Sequence, residues 1–410
     1  MSANTSPLPP LPPLSPLPTP FLQEPLPGVS LLQPLSRKGQ GPGLVILLPD
    51  LNAPILTIQN GIPSPLVKWA EEGYVVAAIN VSILQRTDQA KKILLEVIRL
   101  LNDHPMCDLK ESIGLVAYDT TGWLTVAPIL DKIPSLKASV VYATIQDLES
   151  LRSVTIPTAQ HLAGRTAPTN LQRTKTLMQY SYPEARNSQF SLPFQEDFDY
   201  NAESVSHTRN LTFLKSIIGG PYFDLEQIWD EHTYYEFENR SVEHTMSTMV
   251  QEPYVNHVPT LTGGIGREEL TAFYRDHFIW KNPQSTTLEL ISRTIGIDRV
   301  VDEFIFKFQH DIEVDWLIPG IAPTYKHLEI PFMAVVNVRG DRLYHEHISW
   351  DQATVLKQLD MLPTTVGVTK SKEDEPNATL KIPVFGKETA MKLRDKNAVI
   401  SNGLFANLVS

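Results

Sequence analysis

The chain has 410 residues, enough for two or three ordinary domains, and its 35 Lys and Arg against 46 Asp and Glu give a formal charge of −11. That balance lacks the clustered positive charge that a nucleic-acid backbone or an anionic membrane surface would require, so neither is expected as a partner. Hydrophobic residues make up 42%, enough for sizeable cores, while no apolar run approaches the roughly 20 residues of a membrane span. The single cysteine, Cys107, rules out an intramolecular disulfide framework. With no basic segment leading into an apolar one at the start, the expectation is a soluble, cytoplasmic protein.

Eleven of the 33 prolines lie in residues 1–34. Proline lacks the amide N–H and fixes φ, so Pro7 to Pro16 predicts an extended arm, and residues 1–34 are expected to bury little. Its PxxP spacing also suits an SH3-type partner. From Gly43 the texture changes. Leu44-Val45-Ile46-Leu47-Leu48 predicts a strand buried on both faces. A short helix over Pro65 to Glu72, a strand over Tyr74 to Val81 and a helix from a Thr87 cap to about Asn102 follow. Further strands are predicted at Ile113 to Tyr118, Ala138 to Tyr142, Thr158 to Leu162 and Thr176 to Tyr182. Strands alternating with helices at this spacing mean a parallel sheet wrapped by helices. Tyr200 to Ile218 reads as the closing helix, stopped by Gly219-Gly220-Pro221.

The remainder has another pattern. A helical segment over Leu225 to Met249 leads to a short strand at Tyr254 to Val258, a Gly263-Gly264 turn and a helix from Arg267 to Phe278. Long strands are predicted at Thr286 to Thr294, Arg299 to Asp311, Leu328 to Val338 and Leu343 to Trp350, with a hairpin turn at Gly340-Asp341. Helices first and a curved antiparallel sheet after them make an α+β cone. The tail beyond Pro363 carries the charge run Lys370 to Glu375 and reads as a peripheral arm. The fold class is therefore α/β plus α+β, divided as an arm (1–34), a parallel-sheet domain (35–232), a cone domain (233–362) and a C-terminal arm (363–410).

Residues 35–232 resemble the dienelactone hydrolase branch of the α/β-hydrolases, through Gly43 to Asp50, Ile113 to Trp123 and Thr208 to Asp224. Residues 233–362 resemble the SnoaL-like group of the nuclear-transport-factor-type cone fold, through Glu252 to Thr262, Val301 to Gly320 and Arg339 to Gln352. The first resemblance implies a nucleophile on a sharp strand-to-helix turn, a carboxylate and a histidine. Here the nucleophile position is Asp119, Ala163 to Ala167 holds no carboxylate, and Ala185 to Phe190 holds no histidine. That leaves a scaffold, or pseudo-hydrolase, with its triad lost. An aspartate nucleophile would still need a histidine to activate water.

The cone resemblance implies acid–base chemistry on enolisable carbonyl compounds, by a buried Asp, Glu or His and without a cofactor. Seven of the eleven histidines lie between 233 and 362. Strand alternation puts Asp302, Phe304, Phe306, Phe308 and His310 on one face, the makings of a pocket wall. On the last strand Glu346 and His347 face opposite ways, and either is a candidate. The candidate catalytic residues are therefore His257, His310, Asp315, Glu346 and His347, with Tyr254, Asn256, Phe304, Phe306, Phe308 and Trp316 as substrate contacts. Burial should lower the His310 pKa and a carboxylate such as Asp302 or Asp315 raise it, the carboxylate being expected to dominate. His345 and His347 also have metal-ligand spacing, with His310 or Asp315 as a third ligand. The cone family rarely uses metal, so none is expected.

The leading expectation is a metal-free cyclase, isomerase or dehydratase acting on a small apolar carbonyl compound. A dienelactone or ester hydrolase and a non-catalytic binding or assembly protein are the alternatives. A homodimer through the open sheet face of the cone is expected.

Overall fold

The computed structural model describes residues 11–151, 154–368, 378–403 and 405. The start of the proline-rich stretch and the charge run Lys370 to Glu375 lie outside the described residues.

Eight strands form the first sheet, in the spatial order Leu22–Leu26, Val29–Leu32, Val75–Asn80, Gly43–Leu48, Ile113–Ala117, Leu136–Thr144, Thr158–Ala163, Leu177–Tyr182. The first two join antiparallel and the rest run parallel. The Gly43–Leu48 strand is buried at every position, as a continuous apolar run requires when helices cover both faces. Thr87–Asp103 and Thr120–Leu130 pack on one face, and Pro65–Glu71 and Tyr200–Ile218 on the other. The Thr87–Asp103 helix has Arg86, not Thr87, at its N-cap, without a side-chain cap bond.

The second sheet has six strands in the order Thr262–Ile265, Met249–His257, Arg342–Trp350, His327–Arg339, Arg299–Gln309, Thr287–Ile295. Its pairings are antiparallel except between Met249–His257 and Arg342–Trp350. The four predicted long strands lie within one or two residues of these bounds, because strict alternation over nine or more residues is a strong signal. The Leu225–Met249 segment, by contrast, is not one helix. It runs Leu225–Thr233, a wider helical turn Tyr234–Glu238, and Val242–Ser247, with Arg240 at φ 56° between them. The helix predicted over Arg267 to Phe278 similarly ends at Phe273 and passes into a wider turn, Tyr274–Phe278.

The described part of residues 1–34 is not an unpaired arm. Leu22–Leu26 and Val29–Leu32 supply two strands of the first sheet, and Val29, Leu31, Leu32 and Leu35 are buried. Pro25 is tolerated because its strand lies at the sheet edge, where no ladder bond is lost. Even before the strands, the chain is held: Pro12 O accepts from His244 Nε2, Pro16 O from Arg342 and Pro18 O from Gln251. High proline content concealed a short apolar alternation. In the tail, Thr365–Val368 pairs with Ala378–Lys381, and Arg394 bonds Glu289 and Glu329 on the second sheet.

Buried ion pairs join the two sheets. Arg339, at the hairpin of the second sheet, bonds Glu71 at 2.8 Å, while Asp341 accepts from the backbone of Arg37 and Lys38. Gly340 between them has φ 60°, and a Cβ there would lie 2.3 Å from the Glu71 carbonyl oxygen. Only glycine permits so close a backbone approach. The outer face of the second sheet, where a second copy was expected, is covered in part by the Tyr200–Ile218 helix. Arg299 bonds Ser204, and the Tyr200 and Tyr344 hydroxyls meet at 3.2 Å. Among the described residues, no helix is long and apolar enough to cross a membrane.

Each buried aliphatic side chain contributes about 1.5–3 kcal/mol against a total of about 5–15. Deleting residues 1–34 is therefore expected to lower Tm by more than about 10 °C, or to leave the chain insoluble. Deleting residues 1–20, which spares both strands, should cost much less. Scanning calorimetry on the two truncations checks this.

Candidate active site

A cavity of about 650 Å³ lies between the concave face of the second sheet and the Leu225–Thr233 helix with its following turn. Asp302, Phe304 and Phe306 from one strand, and Glu346 and Ile348 from another, line one side. Trp229, Glu236 and Phe237 line the side opposite.

The floor carries an unusual group of buried ionisable side chains. His232 and Glu236 are four residues apart across the junction of helix and wider turn, and Glu346 reaches them from the central strand. His232 Nε2 lies 3.2 Å from Glu236 Oε1 and 3.1 Å from Glu346 Oε1. Its other nitrogen, Nδ1, is 2.6 Å from Thr248 Oγ1, whose own proton goes to the Thr245 carbonyl. The Thr248 hydroxyl therefore accepts, and Nδ1 carries a proton. Nε2 faces two carboxyl oxygens, which favours a second proton there and an imidazolium ring. Burial alone would suppress that charge, but Glu236 and Glu346 overcome it and hold the His232 pKa up at about 10. The indole of Trp229 stacks on the ring at 5.7 Å and 16°, a further cation–π contribution. The Tyr274 hydroxyl donates to Glu346 at 3.3 Å, and burial keeps it protonated. Glu236 carries its own perturbation. Burial raises its pKa, the His232 charge counters in part, and the Glu346 charge raises it again.

At the other wall, Arg293 grips Asp302 with two parallel bonds of 2.8 Å, and Trp229 Nε1 donates to the same carboxylate at 2.9 Å. Arg293 also reaches Asp230 and Glu226 at the mouth. Asp302 is thus fully engaged as a structural anion.

The structure sorts the sequence candidates. Glu346, Phe304, Phe306 and Trp316 line the cavity, and so does His257. His257 sits among Phe273, Phe278, Trp316 and Trp350, with Nδ1 on Thr262 Oγ1, and burial lowers its pKa to about 3. It is a neutral wall. His347 faces the other way, stacked on His345 at 4.5 Å. Tyr254 and Asn256 stand in register with His345 and His347, so they too lie on the outer face and do not touch the cavity. Phe308 is core beyond the cavity. His310 is buried past the strand end, where Nδ1 meets Thr324. Burial, not a carboxylate, sets the direction of its pKa, which is lowered despite Asp311. Asp315 turns outward to His277 at 3.0 Å, because the loop that presents Trp316 inward points its neighbour away. His257, His310 and Asp315 do not converge, and no metal set forms from His345, His347, His310 and Asp315.

His232, Glu236, Tyr274, Trp229 and Arg293 were missed. The division drawn at 232/233 excluded His232, although its helix packs on the second core through Leu225, Ile228 and Trp229. The available signal was Trp229-x-x-His232-x-x-x-Glu236, which puts three polar-tipped residues on one helical face. His232, Glu236 and Glu346 also have the spacing of a divalent-ion site among the described residues.

In the first sheet, Asp119 caps the Thr120–Leu130 helix, its Oδ1 accepting from Gly122 N at 2.7 Å. Its backbone is ordinary extended chain (φ −146°) and not a strained elbow. Burial raises its pKa. His161 is spent on Tyr182 and Asn210, and burial lowers its pKa to about 3.

No protein-family model and no curated protein matches the chain. Solved structures similar to about a third of it include candidate SnoaL-like polyketide cyclases. A candidate cyclase of this kind from Jannaschia sp. CCS1 is 14% identical, covering 35% of this chain and 100% of its own, at a TM-score of 0.28. One from Shewanella putrefaciens CN-32 is 13% identical, covering 33% and 86%, at 0.29. A candidate polyketide cyclase from Acidithiobacillus ferrooxidans is 19% identical, covering 34% and 95%, at 0.28.

A basic group whose pKa is raised in the fold contributes fully below its unfolded pKa and loses that contribution as pH rises through the folded value. For His232 the window runs from about 6.5 to about 10. Stability from denaturant titrations should fall across that window, and the slope should flatten in His232→Gln. An unchanged slope would mean that His232 is neutral in the fold.

Proposed function

We propose that this chain is an acid–base enzyme of the cyclase or isomerase type, acting on a small, largely apolar carbonyl compound in the cone cavity. One observation carries the reading: two buried carboxylates held by one imidazolium open onto an aromatic cavity. Glu346, which faces His232 and accepts from Tyr274, is assigned as the base that removes a proton α to the carbonyl. Glu236, raised by burial, is the acid that donates to the developing enolate oxygen or returns the proton. Keeping one carboxyl protonated beside an ionised one is a general way to run both steps at neutral pH. His232 is the positioning residue, and Thr248 fixes its orientation. The aromatic walls exclude water, which strengthens both interactions.

The first sheet supports reading as an α/β-hydrolase scaffold without its chemistry: it is mostly parallel with helices on both faces. Asp119 is committed to a helix cap, and His161 to two other partners. Its role in this proposal is to hold the hairpin of the cone, through Glu71 and Arg37.

The test is deuterium incorporation α to the carbonyl of 2-tetralone in D₂O, followed by proton NMR. Full-length protein should accelerate exchange. Glu346→Gln should remove about 10²–10⁴ of that acceleration with little change in Tm, and Glu236→Gln a comparable share. Asp119→Asn should leave it unchanged, and p-nitrophenyl acetate should not be hydrolysed. Exchange unaffected by Glu346→Gln would overturn the assignment.

A further inference from the structure

The charges around the cavity are lopsided. Six carboxylates line it: Glu226, Asp230, Glu236, Glu238, Asp302 and Glu346. One guanidinium lines it, that of Arg293, and its donors are already committed to Asp302, Asp230 and Glu226. His257 is neutral, and both protons of His232 are shared with Thr248 and the two glutamates. No cationic group on the lining is left to meet an anionic ligand. Between the carboxylates the walls are aromatic, with Trp229, Phe304, Phe306, Trp316 and Phe332 among them. Faces of such rings carry negative electrostatic potential and attract cations, more so away from water. Carboxylates at the mouth focus the same sign of field into the opening.

We infer that the cavity selects an organic cation, a protonated or quaternary amine carried on an apolar or aromatic skeleton. The inference rests on the cavity being the ligand site of the proposal above, and not on the reaction performed there. Glu238, exposed at the mouth, meets the approaching ammonium first. Deeper in, the ammonium meets the faces of Trp229, Phe304 and Phe306 and the Glu346 carboxylate. An acid, phosphate or sulfate of the same skeleton would add a buried anion facing carboxylates, which is strongly disfavoured.

The experiment compares three probes with one ring, benzyltrimethylammonium, benzyl alcohol and benzoate, titrated into the full chain by calorimetry and ligand-observed NMR. The cation should bind at least roughly tenfold more tightly than the alcohol, and benzoate more weakly than either. Glu226→Gln and Glu238→Gln, both at the exposed mouth and harmless to folding, should each weaken the cation several-fold and leave the alcohol unchanged. Benzoate binding as tightly as the cation, an alcohol matching the cation, or no binding of the cation at millimolar concentration would each overturn the inference. Ketone exchange without cation preference removes this inference and leaves the acid–base reading standing. Cation preference without exchange does the reverse.

Discussion

A charge taken out of water costs several kcal/mol unless another charge answers it, and both halves of this chain are organised around that constraint. At the junction of the sheets, Lys68 is buried against Glu203 at 2.7 Å, and Glu72 is buried against His207 at 3.0 Å with Lys215 at 3.7 Å. Arg339 lies between Glu71 and the face of Tyr344, 3.4 Å from the ring centroid. Removing one member of such a set leaves an unanswered charge, typically costing about 3–5 kcal/mol. The junction is therefore specific: the hairpin at Gly340 can sit in one place only. The cavity floor uses the same constraint differently. Its imidazolium faces two carboxyl groups at once. In the proposed reading that shared charge is what the acid–base chemistry draws on, while the junction, where pairs are nearly matched, holds the frame.

The frame explains where the reactive pair sits. The Arg342–Trp350 strand begins at the junction hairpin and carries Glu346 four residues further on, so fixing Arg339 and Asp341 also fixes the register that aims Glu346 inward. A slip of one residue would present His345 or His347 to the cavity and send Glu346 to the outer face. The proline-rich start of the chain contributes to the same end: Arg342 is bonded by Ser15 and Pro16 before the strand begins.

Much of the architecture was legible because it is periodic. Continuous apolar runs marked the parallel strands, and alternation marked the long strands of the cone to within a residue or two. The inward face of Phe304, Phe306 and Asp302 followed from alternation alone. What escaped had no period to betray it. The two strands near the start are short, and the outer one carries Pro25. The wider turns at Tyr234–Glu238 and Tyr274–Phe278 break the 3.6-residue repeat just where Glu236 and Tyr274 enter the site. His310 satisfied the alternation, but the strand extends past the cavity before reaching it. Which face of the last strand turns inward depends on what packs against each side, and that is tertiary information. His232 was hidden by a boundary placed one residue too late for it.

One proton decides the chemistry of the cavity floor, the one that makes His232 an imidazolium between Glu236 and Glu346. Nitrogen-15 NMR of histidine-labelled protein at pH 8 reads it directly, with His232→Gln assigning the signal. The account predicts that both ring nitrogens of His232 are protonated at pH 8 and lose that signature only as pH nears 10. A neutral ring at pH 8, with a bare Nε2, would contradict it and leave the two carboxylates without the charge that sets them apart.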